Sequence, residues 1–427
     1  MQEAVVLARV QFGLNIGFHI LFPAISIGLS WLLAYVRVRY QLSRDPAWLE
    51  TYRLWVKVFA LTFAVGVVTG IVMSFQFGTN WPGFMNKVGA VAGPLLAYEV
   101  LTAFLFEATF LGVMLFGMER VPGWLHVVST LVVAAGTTVS AFWILALNSW
   151  MQTPAGHTSE GGVIVPESWL AVIFNPSFPW RFTHMVLASA ITAAFLIAGL
   201  AAWRLLVAPE HAGARASLRM GAHIAAVLVP LQIIVGDQHG LNTFHYQPAK
   251  IAAVEAIWHT ERGAPLTLFA LIDEKNRQNR FAIEIPKGAS LLLAHSIDAE
   301  VKGLDQFGDD HPPVLPVFLA FRLMVGVGLA MLAVSWIGSW VLRKRMPRWL
   351  LWTFVLFTFS GWVALLAGWI VTEVGRQPWL VTGILRTADA AGEAGPARLG
   401  ASLTAYVLTY LTMGIAYVVT VFHMARK

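Results

Sequence analysis

Nine stretches of the chain are almost wholly apolar, at roughly 13–36, 55–77, 94–118, 124–147, 184–207, 217–236, 316–340, 350–374 and 402–424. Each is long enough, at 1.5 Å per residue, to carry a helix across ~30 Å of hydrocarbon. The runs are continuous and lack the period-two alternation of barrel strands, so closed β-barrels are excluded. The pattern predicts an all-α polytopic membrane protein of about nine transmembrane helices. Three regions follow. Residues 1–236 hold helices one to six and 316–427 hold helices seven to nine. Between them, 237–315 is a long polar segment that includes "DEKNRQNR" (273–280). A connection of that length is usually functional or disordered.

Composition agrees with the pattern. The chain is 57% hydrophobic and 12% charged, with 18 Trp and 27 Phe. A soluble protein could not hide that much apolar surface. The net charge of +6 reflects loop charges set by topology and points to no nucleic-acid partner. The absence of Cys excludes iron–sulfur clusters, thiolate haem, covalent CxxCH haem attachment and disulfides. The first apolar run is too long for a cleavable signal, carries Glu3 and Arg9, and precedes no small-residue cleavage site.

Lys and Arg set the expected orientation. One group of short loops and the C-terminus holds Arg37, Arg39, Arg44, Arg53, Lys57, Arg120, Arg204, Arg215, Arg219, Arg343, Lys344, Arg345, Arg348, Arg426 and Lys427. The opposite group holds only Arg9, Lys87, Arg181, Arg376, Arg386 and Arg398. The cation-rich side is expected to be cytoplasmic, with the N-terminus outside.

Ionisable groups inside the runs are costly and raise functional questions. Run one holds His19, near Gly13 and Gly17. Run three holds Glu99 and Glu107, ~12 Å apart along an ideal helix, which suits proton relay or ligation. Run four adds His126, Ser140 and Asn148. Run five opens with His184 and run seven with Arg322 and Met324. A His and a thioether Met facing each other can hold a haem iron from both sides. In "GWIVTEVGRQPW" (368–379), Glu373 precedes Arg376, Pro378 stops the helix and Trp379 anchors it at the interface. In "QPAKIAAVEAIW" (247–258), Pro248 suits a first turn. Ile251, Val254 and Trp258 share a face, with Lys250 and Glu255 off it.

With "GRQPW" (375–379) and "QPAKIAAVEAIW" (247–258), the whole chain resembles subunit I of the cytochrome bd quinol oxidases. The resemblance implies a respiratory enzyme that oxidises quinol at the outer face and reduces O2 with cytoplasmic protons. It implies haem b558, haem b595 and haem d, or a b-type haem in place of the last. His19, Glu99 and Glu373 would serve the high-spin haems. His184 and Met324 would be the axial pair of haem b558, with Arg322 and Arg376 near propionates and Trp369 also beside cofactor. Glu107 and Ser140 would lead protons to Glu99. Lys250 and Glu255 would meet quinol, with Asp237 in the "GDQHG" turn. Implied partners are a subunit II-like membrane protein, a small single-helix subunit and the bacterial cytoplasmic membrane. The segment after Lys250 lacks the long insertion of the best-known members. It marks the short-loop type, which includes the cyanide-insensitive oxidases. Two other readings explain fewer residues. A cytochrome b that only carries electrons leaves Glu99, Glu107, His19 and Glu373 idle. A proton-coupled transporter would show repeats that the chain lacks.

Overall fold

In a computed structural model that describes residues 2–426, nine helical spans are long and apolar enough to cross a membrane. Lys427, counted above among the cytoplasmic cations, lies outside the described residues. The spans are α1 (Gln2–Ser43), α2 (Pro46–Thr79), α3 with α4 (Pro82–Glu99, Leu105–Phe116), α5 (Gly123–Gln152), α7 (Phe178–Val207), α8 (Ala212–Tyr246), α11 (Val314–Val341), α12 with α13 (Arg348–Leu356, Ser360–Glu373) and α15 (Pro396–Arg426). Four short helices lie between them: α6 (Trp169–Ile173), α9 (Pro248–Glu255), α10 (Gly288–Ala294) and α14 (Thr387–Ala390). Order and number follow the apolar runs. The helices are longer than the runs, because polar end turns keep bonding i to i−4 beyond the hydrocarbon. The start of α2 is fixed locally: the Asp45 side chain accepts from the Ala47 amide at 2.9 Å, and Pro46 takes a first-turn position that needs no N–H.

α7 is the central post. Of its most apolar stretch 72% is buried, against 17% for the third and ninth spans, which therefore face outward. In lipid, apolar contact alone does not drive helices together, so close approach and polar pairing must. The α7 surface supplies the approach with Ser189, Ala190, Ala193, Ala194 and Ala198. Gly28 of α1 and Gly221 of α8 press against it. A Cβ at Gly28 would lie 2.7 Å from the Ala193 Cβ, so even Gly28→Ala must push the two helices apart.

The third span is not a continuous α-helix. Residues Val100–Phe104 form a π-helical segment between α3 and α4. Such insertions re-phase the side chains that follow.

The segment between spans six and seven is ordered, and shorter than the apolar pattern predicts. α8 runs on to Tyr246, so "GDQHG" is helix rather than a turn. From 247 the chain forms α9 and a hairpin of β4 (Leu266–Asp273) with β5 (Gln278–Ile285), then α10. The polar "DEKNRQNR" is the tip of this hairpin. There Asp273 accepts from the Asn276 amide at 3.2 Å. Three further two-strand ribbons sit in loops: β1 (His157–Glu160) with β2 (Val163–Pro166), β3 (Glu261–Arg262) with β6 (Glu300–Val301), and β7 (Trp379–Val381) with β8 (Leu385–Arg386). These short ribbons are absent from the periodicity. Trp379 lies in β7, with Arg386 over its ring at 4.8 Å.

Candidate functional site

His19 projects from α1 toward α2. Its Nδ1 lies 2.9 Å from the Thr69 hydroxyl. That hydroxyl already donates to the Val65 or Gly66 carbonyl, at 2.9 and 3.1 Å. It therefore accepts from His19, which leaves the Nε2 lone pair free to ligate. Gly70 lies beside the ring, where a Cβ would stand 3.1 Å from Cε1.

Glu99 and Glu107 face one stripe of α5. The Ser140 hydroxyl donates to Glu99 Oε1 at 2.7 Å. One turn away on α5, Gly136 makes room for Glu107, whose Cγ would lie 2.7 Å from a Cβ there. The two contacts on α5 are ~6 Å apart, half the separation an ideal helix gives the two acids. The π-helical segment lies between the acids and accounts for their shared facing. Glu107 is buried, and its Oε1 has no hydrogen-bond partner among the described residues.

His184 and Met324 lie two and three turns inside α7 and α11, deeper than the apolar runs suggested. Each faces a glycine on a neighbouring helix. A Cβ at Gly236 of α8 would stand 3.3 Å from the His184 ring, and one at Gly368 of α13 would stand 3.0 Å from the Met324 sulfur. His184 Nδ1 is buried without a partner, and the His239 ring lies edge-on at 5.7 Å. Trp369, partly buried, packs against the cluster of Phe142, Phe178 and Phe182 between α5 and α7.

The end of α13 answers why a lipid-embedded helix keeps an acid. Glu373 Oε1 accepts from the Asn148 side chain at 2.9 Å, and its Oε2 pairs with Arg376. Around them lies an excess of positive charge. Arg181, Lys250 and Arg376 are all buried, and Glu373 is the carboxylate set against them. The Lys250 ammonium donates to Gln152 Oε1 at 2.5 Å, to Gln247 Oε1 at 3.1 Å and to the Thr372 carbonyl at 3.2 Å. Burial, then the nearby Arg181, holds Lys250 well below the usual lysine range, with Glu373 working the other way. Gly375 of "GRQPW" packs tightly here, since a Cβ would stand 3.2 Å from the Lys250 stem. Arg376 Nε and Nη1 and Arg181 Nε have no partner among the described residues. Three cations, one carboxylate and three orphaned guanidinium nitrogens suit a ligand carrying two carboxylates.

Arg322 points elsewhere than expected. It pairs with Glu255 at 2.6 Å, donates to the Thr267 carbonyl and reaches the Val254 carbonyl. It ties span seven to the loop and has little left for a propionate. Burial pushes Glu255 up, and Arg322 opposes that shift. α9 ends at Glu255, with Ala256 left-handed, so Trp258 leaves the helix and does not share its face. Asp237 meets His295 at 3.3 Å and shares no hydrogen bond with Lys250 or Glu255. Arg181, His239, Gln152 and Gln247 are site residues that sequence reasoning passed over. Arg181, one turn before His184, was the one with a signal.

Among the described residues no three His, Asp or Glu gather to chelate a bare metal ion. Lone His and Met donors packed against glycines suit iron already held in a macrocycle, and the carboxylate-seeking cluster suits its propionates.

The family model described as cytochrome bd terminal oxidase subunit I matches residues 7–427. The chain is 36% identical to "Cytochrome bd ubiquinol oxidase subunit 1" of Bacillus subtilis (strain 168), over 96% of this chain and 91% of that one. It is 32% identical to "Cytochrome bd-II ubiquinol oxidase subunit 1" of Escherichia coli (strain K12), over 100% and 97%. That alignment spans 498 positions against 427 residues, so at least 71 of them (498 − 427) have no counterpart here. The bd oxidase structure from Geobacillus thermodenitrificans superposes with a TM-score of 0.92 at 31% identity, covering 99% of this chain and 98% of that one.

Proposed function

Because the chain belongs to the cytochrome bd terminal oxidase subunit I family, and so is a multi-pass, haem-carrying subunit of a membrane quinol oxidase, we propose the following division of work among its residues. Bound haem supplies the electron carriage and the oxygen-binding iron. His184 and Met324 would hold the low-spin haem b558, and Arg181 and Arg376 would take its propionates. His19, with Thr69 fixing its tautomer, serves the high-spin pair together with Glu99 and Glu373. These are haem b595 and haem d, or a b-type haem in the place of the last. Lys250 and Glu255, buried where the loop meets the helix ends, recognise quinol, and Glu255 accepts its protons. Glu107 and Ser140 bring protons to Glu99 from the opposite, cation-rich face, which makes turnover electrogenic. That face is cytoplasmic and the N-terminus lies outside, in a bacterial inner membrane. The outward third and ninth spans leave surface for a subunit II-like partner and a small single-helix subunit.

The observation that carries this reading is the buried cluster of Arg181, Lys250 and Arg376, with its orphaned nitrogens and single carboxylate. A bare electron carrier would need that cluster too, but not two acids aligned on one stripe of α5.

The test uses the purified complex with dithionite and a quinol. The reduced spectrum should show one low-spin and two high-spin haems, with oxygen consumed on quinol addition. Glu255→Gln and Lys250→Gln should each lower kcat/KM for quinol on the order of tenfold, the scale of one lost charge-assisted hydrogen bond. Glu255→Gln should leave the spectrum unchanged, and Lys250→Gln, beside Arg181 and Arg376, should keep its haem content. Loss of haem in either variant would instead make that residue scaffold, and absence of haem from the parent complex would refute the reading.

A further inference from the structure

The cation-rich ends of the helices enclose a cleft of about 270 Å³. Three segments that are distant in sequence build it: the end of α7, the first turns of α8 and the turn between α11 and α12. Arg215 and Arg219 enter from α8, and Lys344 and Arg345 from the turn, above an apolar floor of Leu205 and Leu351. Arg215 is partly occupied, donating to Glu210 at 2.8 Å and to the Pro209 carbonyl at 2.9 Å. The Arg219 Nε donates to the Leu342 carbonyl at 3.1 Å and so pins the turn to α8. Among the described residues no carboxylate stands within 4.0 Å of the charged nitrogens of Arg219, Lys344 or Arg345.

Topology explains why cations lie at this end of the helices, but not why four of them converge on one cleft. Like charges held together repel, so the arrangement favours an anion among them. The position of the cleft selects the anion. Trp340, Trp349 and Trp352, beside the same turn, are 71%, 54% and 51% exposed. Exposed Trp at a span end marks the level of lipid headgroups. The cleft is also small beside the several hundred Å³ of a typical small-molecule site, so it fits a headgroup phosphate better than a whole nucleotide. We propose that this cleft binds the phosphate of an anionic membrane lipid, with the acyl chains lying along the Trp-lined outer face. Basic pockets between membrane helices on the cytoplasmic side take such headgroups.

The test is native mass spectrometry of the full oxidase complex, incubated with phosphatidylglycerol, cardiolipin or phosphatidylcholine. The double variant Lys344→Gln/Arg345→Gln removes two exposed cations and should not disturb packing. Arg343→Gln, exposed and outside the cleft, is the control. Parent and control should retain anionic lipid, and the double variant should lose it by about tenfold or more. Anionic lipid should also raise the parent's Tm and leave the double variant's unmoved. Equal retention by double variant and parent, or equal retention of phosphatidylcholine, would overturn the proposal. Displacement of the lipid by millimolar inorganic phosphate would overturn the lipid source and give the cations to a soluble phosphate.

Discussion

His184→Ala and Met324→Leu are each expected to abolish the low-spin haem signal and to lower quinol-driven oxygen consumption by more than roughly 100-fold. That is the upper range for loss of an outer-shell metal contact, which losing a ligand should exceed. Both residues lie two to three turns inside their helices, and each packs closely against a glycine of a neighbouring helix, where a Cβ would crowd the donor side chain. Met324→Leu preserves volume and apolarity, so its effect isolates the thioether. High-spin absorbance should persist in both variants, because His19, Glu99 and Glu373 lie on other helices. A normal low-spin spectrum in either variant would remove that residue from the ligand set.

Glu107→Gln is expected to slow turnover by about 100-fold or more, the scale of a lost proton-transfer group, with haem content near that of the parent. The substitution keeps the shape and removes the titratable proton. A structural anchor would need a hydrogen-bond partner, and Glu107 Oε1 has none among the described residues. Its side chain rests against Gly136, one turn along α5 from the Ser140 that holds Glu99. A haem-loaded Glu107→Gln complex that consumes oxygen at the parent rate would end its role in proton supply.

The nine spans were legible because hydrocarbon demands long apolar runs, and nothing else in the chain resembles them. His19, Glu99, Glu107, His184 and Glu373 were legible as candidates for the complementary reason, as ionisable groups in the wrong solvent, whereas Met324 was a candidate only beside His184 and Arg322. Helix ends were not, since polar turns carry no hydropathy signal: Asp237 reads as loop and lies in α8. The π-helical segment was equally silent, although it sets how Glu99 and Glu107 face α5. Pairing across the fold was the largest gap. Arg322 reads as a propionate cation beside Met324, yet its partner is Glu255, 67 residues away. Gln152 and Gln247 are ordinary amides until the fold gathers them around the Lys250 ammonium.

The unequal charges around Glu373 bear on how the subunit is made. A newly inserted chain must close Arg181, Lys250 and Arg376 into a dry space against one carboxylate. An uncompensated buried charge costs several kcal/mol, comparable with the whole margin of a folded protein. Cofactor capture returns that cost by mass action. The lifetime of the nascent subunit in the cell should therefore follow cofactor supply, with the unfilled chain left open to membrane proteases. Pulse-chase labelling in haem-starved cells should show rapid decay of the parent chain and slower decay of Arg376→Gln. Equal half-lives with and without haem would show that the fold tolerates the excess charge unaided.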